Sequence, residues 1–171
     1  MFPSHDRNKI SGGGGSGSSS GLRIKATRTS DNARLGTATP TLTVDGQLNV
    51  TGLTSGTTYK VTAAIRFSTD NDLAELRYYV GPLTYATMAN SDFCTHTASM
   101  IDSTYPVHIT TGDIAPENSL TAGSLGVSYV SVTGEVTVPS GENSIGVYWD
   151  SAVDTHTVSI LEGSSLVVEG V

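Results

Sequence analysis

The most regular stretch of the chain is TTYKVTAAIRF, residues 57–67, where apolar and polar positions alternate. Tyr59, Val61, Ala63, Ile65 and Phe67 fall on one face and Lys60, Thr62, Ala64 and Arg66 on the other. That is the period-two pattern of a strand burying one side. In GLRIKATR the same alternation sets Leu22, Ile24 and Ala26 against Arg23, Lys25 and Thr27. In LAELRYYV it sets Leu76, Tyr78 and Val80 against Arg77 and Tyr79, and Pro82, which cannot donate to a ladder, ends the run. Further on, GVSYVSVTGEVTV puts Val130, Val132, Val136 and Val138 inward, with Tyr129, Ser131, Thr133, Glu135 and Thr137 outward. After the turn PSGEN, SIGVYWD presents Ile145, Val147 and Trp149 on one face, and THTVSIL and SLVVEGV follow as two further strands. The last is expected to be tied into a sheet.

PTLTVDGQLNV reads as a hairpin. A two-residue turn at Asp45-Gly46 would pair apolar with polar positions, whereas a three-residue loop over 44–46 pairs Leu42 with Leu48. The expectation is a type I turn with Gly46 left-handed, forming a G1 bulge. The section 81–123 is less regular, with YATM, CTHTASMI and PVHITT as short strand candidates among Ser, Asp, Asn and Pro. No segment carries the periodicity of a three-turn helix. The pattern predicts an all-β chain: a jelly-roll-type β-sandwich of about 8–10 strands over 22–171, loop-rich over 81–123, with an extended N-terminal arm over 1–21.

Composition agrees with that reading. Ser and Thr exceed a quarter of the residues and charged residues are only 15%, so self-repulsion does not disorder the body. The lone cysteine, Cys94, rules out an intrachain disulfide. The start lacks the basic and apolar run of a signal peptide, and no stretch reaches the ~18 apolar residues of a membrane span. A soluble chain made in the cytoplasm, with no membrane partner, is expected.

The net charge of −7 is unevenly spread. Residues 1–34 carry six basic side chains against Asp6 and Asp31, while 78–171 hold ten acids and no Lys or Arg. A basic arm on an acidic body suits docking on an acidic surface, and the body would repel phosphate, which argues against direct nucleic-acid binding. The arm contains a Gly/Ser tract at 11–21, whose backbone can lie flat against a neighbour and bond to it.

Chemical motifs are few. GSSSG at 17–21 matches G-x-S-x-G with Ser19 as nucleophile, and GGGGSG at 12–17 matches G-x-G-x-x-G. Both need a strand before and a helix after, and a Gly/Ser tract supplies neither. Cys94 and His96 would share a strand face with Asp92 alongside, and His108 or His156 would have to converge for a metal site, yet no ligand spacing recurs. Asp70, Asp72 and Glu75 offer oxygens for Ca²⁺ but lack the glycine and later glutamate of an EF-hand loop, so solvated turn acids are the reading. Asn49–Thr51 is a glycosylation sequon on a predicted strand with no secretory signal. No metal and no cofactor are expected.

Three stretches occur in order: LTSGTTYKVTAAIRF, VSVTGEVTVPSGENSIGVYWD and HTVSILEGSSLVVEGV. A Gly-led Tyr-x-Val strand, a late strand before a Gly-Glu-Asn turn and a closing Ser-Ser-Leu-x-Val strand resemble TNF-like jelly rolls over about 54–171. The likeness is strongest to the small trimeric modules of tailed-phage virions, capsid cement proteins or fibre heads. It implies a non-enzymatic virion protein, made in the host cytoplasm, that decorates the capsid exterior as a homotrimer and staples the major capsid protein. The outward aromatics Tyr79, Tyr129 and Tyr148 become candidates for the trimer axis, and Arg7, Lys9, Ile10, Gly13, Gly15, Arg23 and Lys25 candidates for contact between arm and partner. The alternative is a fibre or spike head binding a host glycan or receptor through loops of 81–123. A cupin-like enzyme is disfavoured, because paired His and Glu ligands are missing from the sequence.

Overall fold

A computed structural model describes residues 21–37, 42–71, 74–83, 96–101, 106–111, 118–121, 127–151 and 153–171. The described residues contain no helix. They form twelve strands: β1 Arg23–Thr27, β2 Asn32–Leu35, β3 Thr43–Thr51, β4 Thr58–Thr69, β5 Glu75–Gly81, β6 His96–Ile101, β7 Pro106–Thr111, β8 Asn118–Thr121, β9 Ser128–Thr137, β10 Ser144–Ser151, β11 Thr157–Ile160 and β12 Ser165–Gly170. Two of them, β2 and β8, were absent from the sequence reading; NARL and NSLT lack the β-branched Val-x-Ile alternation that marks the equally short β11.

The strands make two antiparallel sheets. The large sheet runs β1-β12-β4-β9-β6-β7, with β11 joined to both β4 and β2, and the small sheet runs β3-β10-β5-β8. Four pairs are nested along the chain: β5 with β8, β4 with β9, β3 with β10 and β1 with β12. Successive pairs in that nest alternate between the small and the large sheet. The terminal strand β12 lies inside the large sheet between β1 and β4, as its sequence required.

The alternation of each strand becomes the core. Tyr59, Val61, Ala63, Ile65 and Phe67 of β4, Val130, Val132 and Val136 of β9, and Leu166 and Val168 of β12 meet Leu76, Tyr78 and Val80 of β5 and Ile145, Val147 and Trp149 of β10. Ile24 and Ala26 of β1 pack against this core from the edge. Each fully buried aliphatic or phenyl side chain contributes about 1.5–3 kcal/mol of transfer free energy, so the sandwich rests on this one layer.

Strand β4 is long enough to pair with two successive strands on one edge, β12 opposite 59–64 and β11 opposite 67–69. Ser164 fills the break between them. Its buried hydroxyl accepts from the Arg66 amide at 2.9 Å and donates to the Leu161 carbonyl at 2.8 Å. The outer strand breaks at the same level, between β1 and β2, where the Arg28 amide donates to the Ser164 carbonyl at 2.9 Å.

The expected hairpin at Asp45-Gly46 does not form. Residues 43–51 are one strand, β3, paired along β10, and Gly46 has no positive φ. Between Asn49↔Gly146 and Val44↔Tyr148 the register shifts, so a wide bulge over 45–48 replaces the turn. Local pairing of Leu42 with Leu48 loses to long-range partners. The Asp45 carboxylate accepts from the amides of Gln47 at 3.0 Å and Leu48 at 3.1 Å, closing the bulge on itself.

Beside the β10–β11 turn, where Thr155 sits at φ 70°, the chain from β2 passes so close that a Cβ on Gly36 would lie 1.9 Å from the Val153 carbonyl oxygen. Gly36→Ala is therefore expected to cost about 1–3 kcal/mol, because backbone rather than a side chain must move. Urea denaturation measures the loss, and an unchanged midpoint would show that the turn yields freely.

Candidate functional site

Among the described residues, a buried polar cluster lies where the N-terminal strands meet the small sheet. Arg28, in the junction between β1 and β2, is buried and pairs through Nη1 with Oδ2 of Asp45, which is fully buried. The same oxygen accepts from Trp149 Nε1 at 3.0 Å. With the two bulge amides on Oδ1, the carboxylate has four donors directed at it. Arg28 Nε also donates to the Ser30 carbonyl at 2.9 Å, and the Thr29 amide donates to Gln47 Oε1 at 2.9 Å.

A second arginine covers the indole. The Arg34 guanidinium lies 4.0 Å from the centre of the Trp149 ring. Its Nη1 donates to the Trp149 carbonyl and, at 3.1 Å, to that of Thr43, while Nη2 donates to the Val44 carbonyl at 3.3 Å. Burial lowers the Arg34 pKa, and nearby Arg28 adds to this, against the raising effect of Asp45 and Asp150. Arg34 thus occupies carbonyls of β3, a strand at the edge of the small sheet.

Chemically, this cluster is a clamp. A carboxylate whose lone pairs are all engaged holds its neighbours in place rather than taking a proton from a substrate. It fixes the strands that follow the N-terminal segment. None of its four members was singled out as a site from sequence: Asp45 reads as a turn residue, Arg28 and Arg34 as surface charge. Asp45 is 17 positions from Arg28 and 104 from Trp149, distances over which no local pattern speaks.

Of the residues proposed for the arm, Arg7, Lys9, Ile10, Gly13 and Gly15 lie outside the described residues. Arg23 and Lys25 are exposed on β1, and Arg23 Nε donates to Glu169 Oε1 of β12 at 2.8 Å. The three tyrosines do not share one environment. Tyr129 is 38% exposed, with the Arg66 guanidinium 5.8 Å from its ring centre. Tyr79 and Tyr148 point away from the inter-sheet core as alternation requires, yet both are buried and cross-paired, with ring centres 5.6 Å apart. Tyr79 lies over Gly81, where a Cβ would come 2.1 Å from its hydroxyl. Alternation sets a side chain's direction, but not what covers it.

Cys94, Asp92 and Asp72 lie outside the described residues. His96 pairs with Thr111 and His108 with Ser99 in the β6–β7 hairpin. His156 Nδ1 stands 3.9 Å from Asp70 Oδ1, and Glu75 opens β5 opposite Thr121. Asn49 lies within β3 and is half-buried. Among the described residues no three His, Cys, Asp or Glu side chains gather as metal ligands, and no helix is long and apolar enough to cross a membrane. No protein-family model matches the chain, and no curated protein matches it.

Two measurements probe these environments. Asp45→Ala leaves the Arg28 charge buried and is expected to lose about 3–5 kcal/mol in urea denaturation followed by Trp149 fluorescence. Arg28→Met is expected to lose less, since Asp45 keeps three donors; the reverse order would mean that Asp45 is not the centre of the clamp. Tyr148 is pushed up to about 12, first by burial and then by the Glu142 carboxylate. The folded chain therefore holds this proton longer than the unfolded chain. Its contribution to stability is complete below pH 10 and is lost as pH rises toward about 12. In Tyr148→Phe that part of the alkaline decline is expected to vanish, and an unchanged decline would assign it to another group.

Proposed function

We propose that this chain is a non-enzymatic structural protein of a tailed-phage virion. It is a jelly-roll decoration protein that trimerises on the capsid exterior and staples neighbouring copies of the major capsid protein. The observation that carries this reading is the nest of four antiparallel pairs, β5–β8 within β4–β9 within β3–β10 within β1–β12, alternating between two sheets. Rolling one long antiparallel ribbon into two sheets produces that nest, which is how an eight-stranded jelly roll is built. The β6–β7 hairpin, β2 and β11 extend the large sheet beyond the eight strands.

The charge distribution supports the same reading. The basic residues concentrated in 1–34 stand against an acidic remainder, and the clamp ties the root of that basic segment to the sandwich. An arm fastened in this way carries load between body and shell. Each arm adds buried surface on neighbouring capsid subunits, and three joined arms bind at a high effective concentration. The role is mechanical, and it calls for no cofactor.

Light scattering on the purified chain is expected to give a trimer, and the protein is expected to sediment with empty phage-head shells. Arg7→Glu combined with Lys9→Glu should weaken that binding at least about tenfold, roughly 1.4 kcal/mol. A wild-type chain that ignores shells but binds host cells would favour a fibre-head role, and one that binds neither would overturn the reading.

A further inference from the structure

Asp45-Gly46 carries a turn signal that the fold does not use, and nothing in the bulge requires its glycine. Gly46 is exposed, its φ is not positive, and a Cβ built on it would meet nothing within 4 Å. What the glycine does supply is an unhindered amide nitrogen directly after an aspartate.

That pair has a chemistry of its own. The Gly46 nitrogen can attack Cγ of the protonated Asp45 carboxyl, forming the N–Cγ bond of a five-membered succinimide. The amide proton and the carboxyl hydroxyl leave together as water. Water then adds back at one of the two ring carbonyls. Opening at Cγ regenerates aspartate. Opening at the main-chain carbonyl breaks its bond to the Gly46 nitrogen and leaves the chain running through Cβ and Cγ, an isoaspartate. Reactant and product are isomers, so neither oxidant nor co-reactant is consumed.

The folded chain withholds the reactants from each other. Asp45 is fully buried. Its Oδ1 is held by the amides of Gln47 at 3.0 Å and Leu48 at 3.1 Å, and its Oδ2 by Trp149 Nε1 at 3.0 Å and by Arg28 Nη1. For Cγ to come over the Gly46 nitrogen the carboxylate must turn, and turning breaks these bonds. It would also leave the Arg28 charge buried without its counterion.

We propose that Asp45-Gly46 is a modification site gated by folding: isoaspartate forms in chains whose clamp has opened and is withheld from chains whose clamp is closed. The fold cannot take the change back. Isoaspartate lengthens the main chain by one carbon and shortens the carboxylate's arm by one. A carboxylate moved in this way no longer meets Gln47, Leu48, Trp149 and Arg28 together, so an opened chain that reacts loses the clamp for good. The proposal rests on the clamp and not on the virion reading.

Trypsin releases the site as the peptide 35–60, in which Asp45 is the only aspartate. After incubation in warm neutral buffer, isoaspartate in that peptide is counted by chromatography and electron-transfer fragmentation. Wild-type chains unfolded in urea are expected to accumulate it at least about tenfold faster than folded ones, because the reaction follows the population of the open form. Gly46→Ala, whose methyl shields the nitrogen, is expected to slow the unfolded chain several-fold and to fold normally. Unfolded wild type that stays aspartyl, an unfolded Gly46→Ala chain that reacts like wild type, or folded wild type that reacts as fast as unfolded, overturns the proposal.

Two further variants separate the clamp from the fold at large. Val136 is buried in the core opposite Tyr59 and takes no part in the clamp. At urea concentrations that give Arg28→Met and Val136→Ala equal stability by circular dichroism, Arg28→Met is expected to react at least about threefold faster. Equal rates would assign the protection to overall stability and overturn the clamp as the gate.

Discussion

Closure of this sandwich at its N-terminal edge depends on one buried carboxylate. Asp45 accepts from two amides of its own strand, from the indole of Trp149 and from Arg28. A buried charge is tolerable only when its hydrogen-bonding capacity is met, and here the donors come from β3, β10 and the β1–β2 junction. Satisfying the charge therefore joins the edge of the large sheet to the edge of the small one. It also creates the bulge in β3, because Gln47 and Leu48 turn their amides toward Asp45 instead of toward a neighbouring strand.

Other features of that edge follow. Trp149, fully buried in the core, is held by its indole N–H on one side and covered by Arg34 on its face. Arg34 in turn donates to the Thr43 and Val44 carbonyls of β3 and to the Trp149 carbonyl of β10, which ties the ends of the two strands together. On the outer face of the large sheet Arg23, Glu169, Lys60 and Glu135 alternate in sign across four strands, so each charge lies beside an opposite one.

Much of this was legible in the residues. The alternation in 57–67, 73–80, 126–138 and 144–150 identified these strands and the side of each that faces the core, because a strand's side chains must alternate and apolar ones leave water. Ile24 and Ala26 were likewise assigned to the inner side of β1. The reading failed where short strands lacked β-branched alternation, as at β2 and β8, and where a turn signal was overruled, as at Asp45-Gly46. The clamp was not legible at all. Its members read individually as turn and surface residues, since an isolated Asp or Arg near a glycine is usually solvated.

The division has a physical cause. Burial of one face is a property of neighbouring residues along a strand, so the sequence by itself determined the strands, their inward faces and the charge asymmetry of the chain. Sheet order, the nesting of pairs, the bulge and the cover over Tyr79 and Tyr148 depend on partners distant in sequence. Only the tertiary structure decided those, because a buried charge or an outward tyrosine takes its environment from whichever strand folding brings beside it.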